Sequence, residues 1–347
     1  MELGISSFGE VIPDQVAGRA LNAHTRMQQL LEEIKLADQV GLDVFALGEH
    51  HRPDFIISAP EVILAAAATQ TKTIRLSSAV TVLSSADPVR VYQNFASLDL
   101  ISNGRAEIMA GRGSFIESFP LFGYDLNDYD DLFTEKLELL MAINQQEVVS
   151  WQGHFRPSIP NVGVYPRPYQ PTLPIWLAVG GTPASAVRAG SMNLPMTLAM
   201  LGGTPDRFVP LVNMYRQAAR KAGHDQIPLA VNSHFYVADN SQQAANDFYP
   251  FYAVLMNRIG RERGWPPLGR EQYEYLRQHG PLLVGSPQQV IDKLLTFHEL
   301  FQNTRYLAQL IGGQSADHPK LLRAIELFGT QVAPVIRKEL AATQQAI

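Results

Sequence analysis

The chain contains no cysteine. Disulfides, thiolate-held zinc, cysteine-ligated iron–sulfur clusters and a cysteine nucleophile are therefore excluded, whatever the compartment. Charge is sparse and of no strong sign: 28 Lys and Arg stand against 33 Asp and Glu, a net of −5 with histidine neutral, and the basic residues form no run. Nucleic acid is not an expected partner, because neutralising a phosphate backbone takes clustered cations. Long hydrophobic runs are also missing. Stretches such as 62–68 fall far short of the roughly 20 residues that cross a bilayer. The opening Met1-Glu-Leu-Gly-Ile has neither the basic start nor the apolar core of a secretory signal. No membrane association and a cytoplasmic location are the expectation.

What is present is a large apolar complement. Of 347 residues, 46% are hydrophobic and 18% charged, enough for a sizeable core and too few charges for disorder. Short β-branched runs alternate with helical stripes along the whole chain. Expected strands cover 3–7, 44–47, 74–82, 105–110, 175–179, 196–200, 229–237 and 306–311. Helical spacing connects Met27, Leu30, Leu31, Ile34 and Ala37, and again Leu321, Leu322, Ile325, Phe328 and Val332. Eight strands, each followed by a helix, predict an α/β (β/α)8 TIM barrel formed by one domain over 1–347. An open doubly wound sheet is the alternative, weakened because no Gly-x-Gly-x-x-Gly follows the first strand. Such a barrel needs about 250 residues, so the surplus fits insertions. Two are legible, after strand 4 and after strand 7. The first is the proline-rich 148–172. The second is 240–281, with a helix over 242–263 and the turn-rich Gly264-Trp-Pro-Pro-Leu-Gly.

Unusual residues fall at the carboxyl ends of these strands, the rim where barrel enzymes place their sites. Strand two runs into Gly48-Glu-His-His51, strand four into Gly111-Arg-Gly-Ser114, strand five into Gly180-Gly-Thr-Pro183, strand six into Gly202-Gly-Thr-Pro205 and strand eight into Gly312-Gly313. Neighbouring residues of an extended chain point oppositely, so one of His50 and His51 faces the mouth. Thr182 can cap a helix and Pro183 suits its first position, which would aim backbone N–H groups at an anion. The same reading fits Gly202-Gly203 and Gly312-Gly313, and the three are not separated by pattern alone. Arg112 suits either a phosphate or a rim ion pair with Glu117 or Asp125. Arg105 and Glu107 alternate on strand four as a candidate interior ion pair. Phe8, Phe115, Trp151 and His234 are candidate pocket residues. No metal-ligand spacing is present.

These segments together resemble the bacterial luciferase superfamily of flavin-dependent monooxygenases. The likeness runs through Leu47-Gly-Glu-His-His51, Ser77-Ser-Ala-Val-Thr-Val-Leu-Ser-Ser-Ala-Asp-Pro-Val-Arg90, Ile101-Ser-Asn-Gly-Arg105, Met109-Ala-Gly-Arg-Gly-Ser-Phe115 and Trp176-Leu-Ala-Val-Gly-Gly-Thr-Pro183. Phe119-Pro-Leu-Phe-Gly-Tyr-Asp-Leu-Asn-Asp-Tyr129 looks like an uncharacterised bacterial subgroup of it. The resemblance implies FMN in the barrel mouth, His50 near flavin and substrate with Glu49 beside it, and His51 in support. It also implies a non-prolyl cis peptide at Ala79–Val80 against the flavin ring. Arg112 would hold the phosphate with the amides of Gly180, Gly181 and Thr182. Light-emitting luciferase has a cysteine where this chain has Gly111, and glutamate and serine where it has Val179 and Gly180, so long-chain aldehyde chemistry does not carry over.

The function so implied is a two-component monooxygenase that oxidises a small organic substrate with O2, a separate flavin reductase supplying reduced FMN. Homodimers or larger homo-oligomers are the habit of such proteins. F420-dependent hydride transfer, a flavin-binding protein without catalysis and, more remotely, a metal-dependent barrel hydrolase are the rival readings.

Overall fold

A computed structural model describes residues 1–11, 22–312 and 318–345. In chain order the strands are β1 (Glu2–Ser7), β2 (Val44–Leu47), β3 (Arg75–Ser78), β4 (Thr81–Val82), β5 (Ala106–Gly111), β6 (Val148–Trp151), β7 (Ile159–Gly163), β8 (Ile175–Val179), β9 (Met196–Ala199), β10 (Leu229–Val237), β11 (Leu283–Gly285) and β12 (Arg305–Leu310). The ring β1-β2-β3-β5-β8-β9-β10-β12 returns to β1, every pairing in it parallel. It is a closed α/β barrel with helices around it, as the alternation of strands and helices predicts. The open sheet is ruled out by the β9–β10 and β1–β12 pairings.

The two insertions take different forms. After β5 and the helix Tyr129–Gln145, β6 and β7 make an antiparallel hairpin. After β10 come the helices Ser241–Arg263 and Arg270–Gln278, then β11, which pairs with the upper end of β10. β11 escapes the sequence pattern because three residues are too few to show a period. The long strand expected over 74–82 is interrupted instead. β3 stops at Ser78, and β4 resumes after a cis peptide between Ala79 and Val80.

Strand alternation sorts the side chains into two sets. One set, including Leu3, Ile5, Phe45 and Leu76, joins the large core shared with the helices. The other points inward, where Val44, Met109, Trp176, Ala230 and Leu307 form a separate apolar cluster drawn from five strands. Below this layer, at the amino ends of the strands, Arg305 on β12 reaches Glu107 on β5 at 2.6 Å and Glu2 on β1 at 2.7 Å. Arg75 adds a 3.0 Å contact to Glu107, and the Arg305 guanidinium lies 4.2 Å from the Trp176 ring centre. Burial alone would raise the pKa of Glu107; the adjacent Arg305 overrides it and holds the carboxyl below its ordinary value. The floor of the barrel is thus a closed ionic plug.

The suggested Arg105–Glu107 pair does not form. Arg105 precedes β5 and turns outward, donating to the carbonyls of Ala68, Ile74 and Ser102, so Glu107 is left to Arg305. Replacing one partner of a buried pair strands the other charge, which typically costs about 3–5 kcal/mol. Arg305→Met is expected to lose stability of that order in urea denaturation, and Arg305→Met with Glu107→Leu to recover most of it. A single-variant loss under about 1 kcal/mol would show that the plug is dispensable.

Candidate active site

At the end of β2 the chain passes so close to its neighbours that only glycine fits. A Cβ on Gly48 would sit 1.9 Å from the Phe8 ring and 2.8 Å from the Ala79 carbonyl oxygen. The next residue, Glu49, is buried, and both carboxylate oxygens are used. One accepts the Val82 N–H at 2.8 Å; the other lies 2.8 Å from Nε2 of His51. Its own N–H donates to the Val80 carbonyl at 3.2 Å. Glu49 therefore straps the β2 loop to the segment that carries the cis bond. Gly111 leaves room for that same segment, since a Cβ there would lie 2.7 Å from the Val80 side chain.

The two histidines divide as alternation requires. His51 turns to Glu49, while His50 lines a cavity of about 410 Å³ over the barrel mouth. The His50 ring sits among Phe8, Phe55 and Phe115, with centroid separations of 4.7, 4.4 and 5.1 Å. Its Nε2 is buried without a hydrogen-bond partner. Burial, with the charges of Arg52 and His51 adding to it, pushes the His50 pKa down to about 3. Across the same cavity stands His234 of β10, pushed down to about 4 by burial, its ring 5.3 Å edge-to-face from Tyr252. Phe8 and Phe115 also line the cavity. Trp151 does not: it sits in β6 of the hairpin, beside the loop Gln152–Phe155.

The helix Ser241–Arg263 roofs the cavity and is clasped to the loops after β2 and β5. Arg52 pairs with Glu117 at 2.5 Å, with Glu262 of the helix, and with Asp54 at 3.4 Å; Arg258 of the helix also pairs with Asp54. Apolar residues of the same helix, among them Leu255, Met256 and Ile259, face the cavity.

Beyond β5, Arg112 meets the start of the helix Pro183–Ser191. Its guanidinium donates to Ser185 Oγ at 3.1 Å and more weakly to Thr182 Oγ1 at 3.4 Å, and it pairs with Asp130. Glu117 and Asp125, the acids expected nearby, are not its partners, because Glu117 is taken by Arg52. Thr182 stands at the capping position, yet its hydroxyl caps no N–H. The Gly180–Gly181 turn is open: nothing lies within 4 Å of a Cβ at either position, and Gly181 has φ +123°, a conformation that L side chains rarely adopt.

The three glycine turns now separate. Gly202 is equally open, and Gly181, Gly202, Gly203 and Arg207 share a hollow of about 270 Å³. Gly312 is not open, because a Cβ there would lie 2.3 Å from Leu321; Gly313 falls outside the described residues. Arg207 and Tyr252 escaped the sequence reading, and so did the cavity-lining Arg263. Arg207 alone left a trace, three residues after a Gly-Gly-Thr turn. Among the described residues no group of acids and histidines is placed to hold a metal ion.

The depressed histidines have a consequence for acid stability. Below pH 6.5 an unfolded chain takes up protons that folded His50 and His234 refuse. Their contribution is therefore intact above that pH and is lost as pH falls toward 4 and 3. His50→Gln and His234→Gln are each expected to flatten the decline of urea stability between pH 6 and 5, by on the order of 1 kcal/mol per pH unit. Unchanged slopes would mean that both rings are charged in the fold.

Known proteins resemble this chain in sequence and fold. Residues 1–304 match the luciferase-like monooxygenase family. The oxygenase component of the flavin-dependent trigonelline monooxygenase of Acinetobacter baylyi is 26% identical over 300 residues, covering 78% of this chain and 80% of that protein. The oxygenating constituent of 3,6-diketocamphane monooxygenase from Pseudomonas putida, solved in complex with FMN, superposes with a TM-score of 0.78 at 22% identity, over 96% of this chain and 98% of that one. The coenzyme F420-dependent tetrahydromethanopterin reductase of Methanopyrus kandleri shares the fold with a TM-score of 0.72 at 19% identity, over 96% and 99% of the two chains. With a match that spans most of its length, the chain belongs to the luciferase-like monooxygenase family.

Proposed function

We propose that this enzyme is an FMN-dependent monooxygenase that oxygenates a small organic molecule, with the whole chain, 1–347, working as one barrel unit. The observation that carries the reading is the joint geometry of Arg112 and the open Gly180–Gly181 turn, on the same rim as the cis segment and His50. These residues suit the cofactor. A phosphate would find the Arg112 guanidinium, the Thr182 and Ser185 hydroxyls and a backbone that no side chain screens. A flat ring would find the partly exposed Ala79–Val80 segment, strapped from behind by Glu49. Bound FMN would supply the redox and oxygen chemistry, which no side chain here offers.

The chain's own residues then have definite tasks. His50 stays uncharged through the physiological range, so its ring nitrogen can accept a hydrogen bond from a group in the cavity. His51 and Glu49 position that loop rather than touch a ligand. The roof helix and the ring of Phe8, Phe55 and Phe115 keep water away from the reacting groups. A separate reductase fits as the source of reduced flavin, consistent with the Acinetobacter relative's being named an oxygenase component. Self-association and a cytoplasmic setting complete the proposal.

The test is a pair of titrations, with oxidised FMN and with F420, followed by fluorescence. FMN is expected to bind at least about ten-fold more tightly, and Arg112→Met to weaken FMN by about 10–100-fold, the worth of one or two charge-assisted hydrogen bonds. Tighter binding of F420 would replace the cofactor. FMN affinity indifferent to Arg112→Met would move the phosphate to the hollow beside Arg207.

A further inference from the structure

The cavity above His50 is lined mainly by apolar side chains, and the two histidines on it are neutral in the physiological range. Among the described residues, the remaining charged residue that lines it is Arg263, the last residue of the roof helix. The cations around it are answered: Arg52 by Asp54, Glu117 and Glu262, and Arg258 by Asp54. Arg263 has no carboxylate within ion-pair distance among the described residues. Its one hydrogen bond runs from Nη2 to the Ser114 carbonyl at 3.1 Å. A guanidinium has five N–H donors, so most of its capacity is unused. The Phe115 and Trp265 rings flank it at 5.5 and 5.3 Å, which fixes its position without cancelling its charge. The carboxyl end of the helix also favours a cation there, and that too leaves the charge in place. Arg112 and Arg207 belong to the glycine turns and do not line this cavity.

We propose that Arg263 sets the substrate class: the cavity takes a molecule with an apolar, ring-sized body and an anionic head, a carboxylate, which docks on this guanidinium at the outer rim. The body lies among the aromatic side chains and the apolar face of the roof helix, and the far end reaches His50. About 410 Å³ suits a ligand of one or two rings. The inference rests on the cavity being the substrate site of the proposed monooxygenase.

The experiment uses calorimetric titration of the full chain, alone and saturated with FMN, with two probes of one shape: 2-naphthoate and the neutral 2-naphthamide. Naphthoate is expected to bind about ten-fold more tightly than the amide. Arg263→Gln should erase that preference and leave amide affinity unchanged. Arg263→Lys should keep part of it, and raising salt from about 0.05 to about 0.5 M should weaken naphthoate alone. FMN affinity should be the same in the wild type and in Arg263→Gln. Equal affinity for the two probes, naphthoate binding indifferent to Arg263→Gln, or no binding of either probe would overturn the proposal. An Arg263-dependent preference in a chain that binds no FMN would instead support the anion site and remove the cofactor reading.

Discussion

Everything at the mouth depends on the parallel pairing that closes the sheet. Because β9 joins β10 and β12 joins β1 in the same sense as all the other pairs, every carboxyl end opens onto one rim. Loops separated by 60 or more residues in sequence thereby become neighbours. Arg112 touches Ser185, and Arg52 touches Glu262. Closure also fixes the interior in layers: ions at the floor, a band of Val44, Met109, Trp176, Ala230 and Leu307 above them, then Asn232 donating to Ser6 at 3.0 Å below the mouth. The ionic layer covers the floor, and the cavity lies at the rim.

On the rim, charge and apolarity are segregated. Three carboxylates near the mouth are spent on fixed structural tasks: Glu49 on a backbone N–H and His51, Asp54 and Glu262 on the clasp of the roof. Among the described residues, what lines the cavity is apolar or neutral apart from Arg263. An ion pair in such surroundings recovers its desolvation cost only with excellent geometry, which is why the ionic contacts sit behind or above the cavity rather than in it. Three of the buried polar atoms without a partner, His50 Nε2, His234 Nδ1 and Tyr252 Oη, belong to residues that line the cavity. Leaving such groups unmatched is costly.

Much of this was legible beforehand. The eight barrel strands stand out because buried parallel strands are short runs of Val, Ile, Leu and Ala, bounded by turn residues and separated by helical periods. Glycines mark the rim because close passes, such as that of Gly48 against Phe8, tolerate no Cβ. What was not legible is pairing over distance. Arg305 was invisible as the partner of Glu107, since 198 residues separate them. Asp130 looked no different from Asp125 until the fold brought it to Arg112. Arg263 and Tyr252 lie on an insertion helix whose register over the mouth is set by tertiary contacts, and periodicity says nothing about what a face will meet. Trp151 shows the converse, an aromatic residue of the hairpin with no share in the cavity.

β10 is longer than its neighbours. Its first residues pair with β9, its middle with β12, and its last three, Phe235 to Val237, with β11. The surplus height is a post from which the insertion hangs, entering and leaving on one side of the barrel. The polypeptide that roofs the chamber is therefore anchored on β10, while the glycine turns rise from β9 and β8, the next strands round the ring. Drift in its sequence can reshape the chamber while the barrel wall and those turns stay as they are, so one scaffold can host many guests.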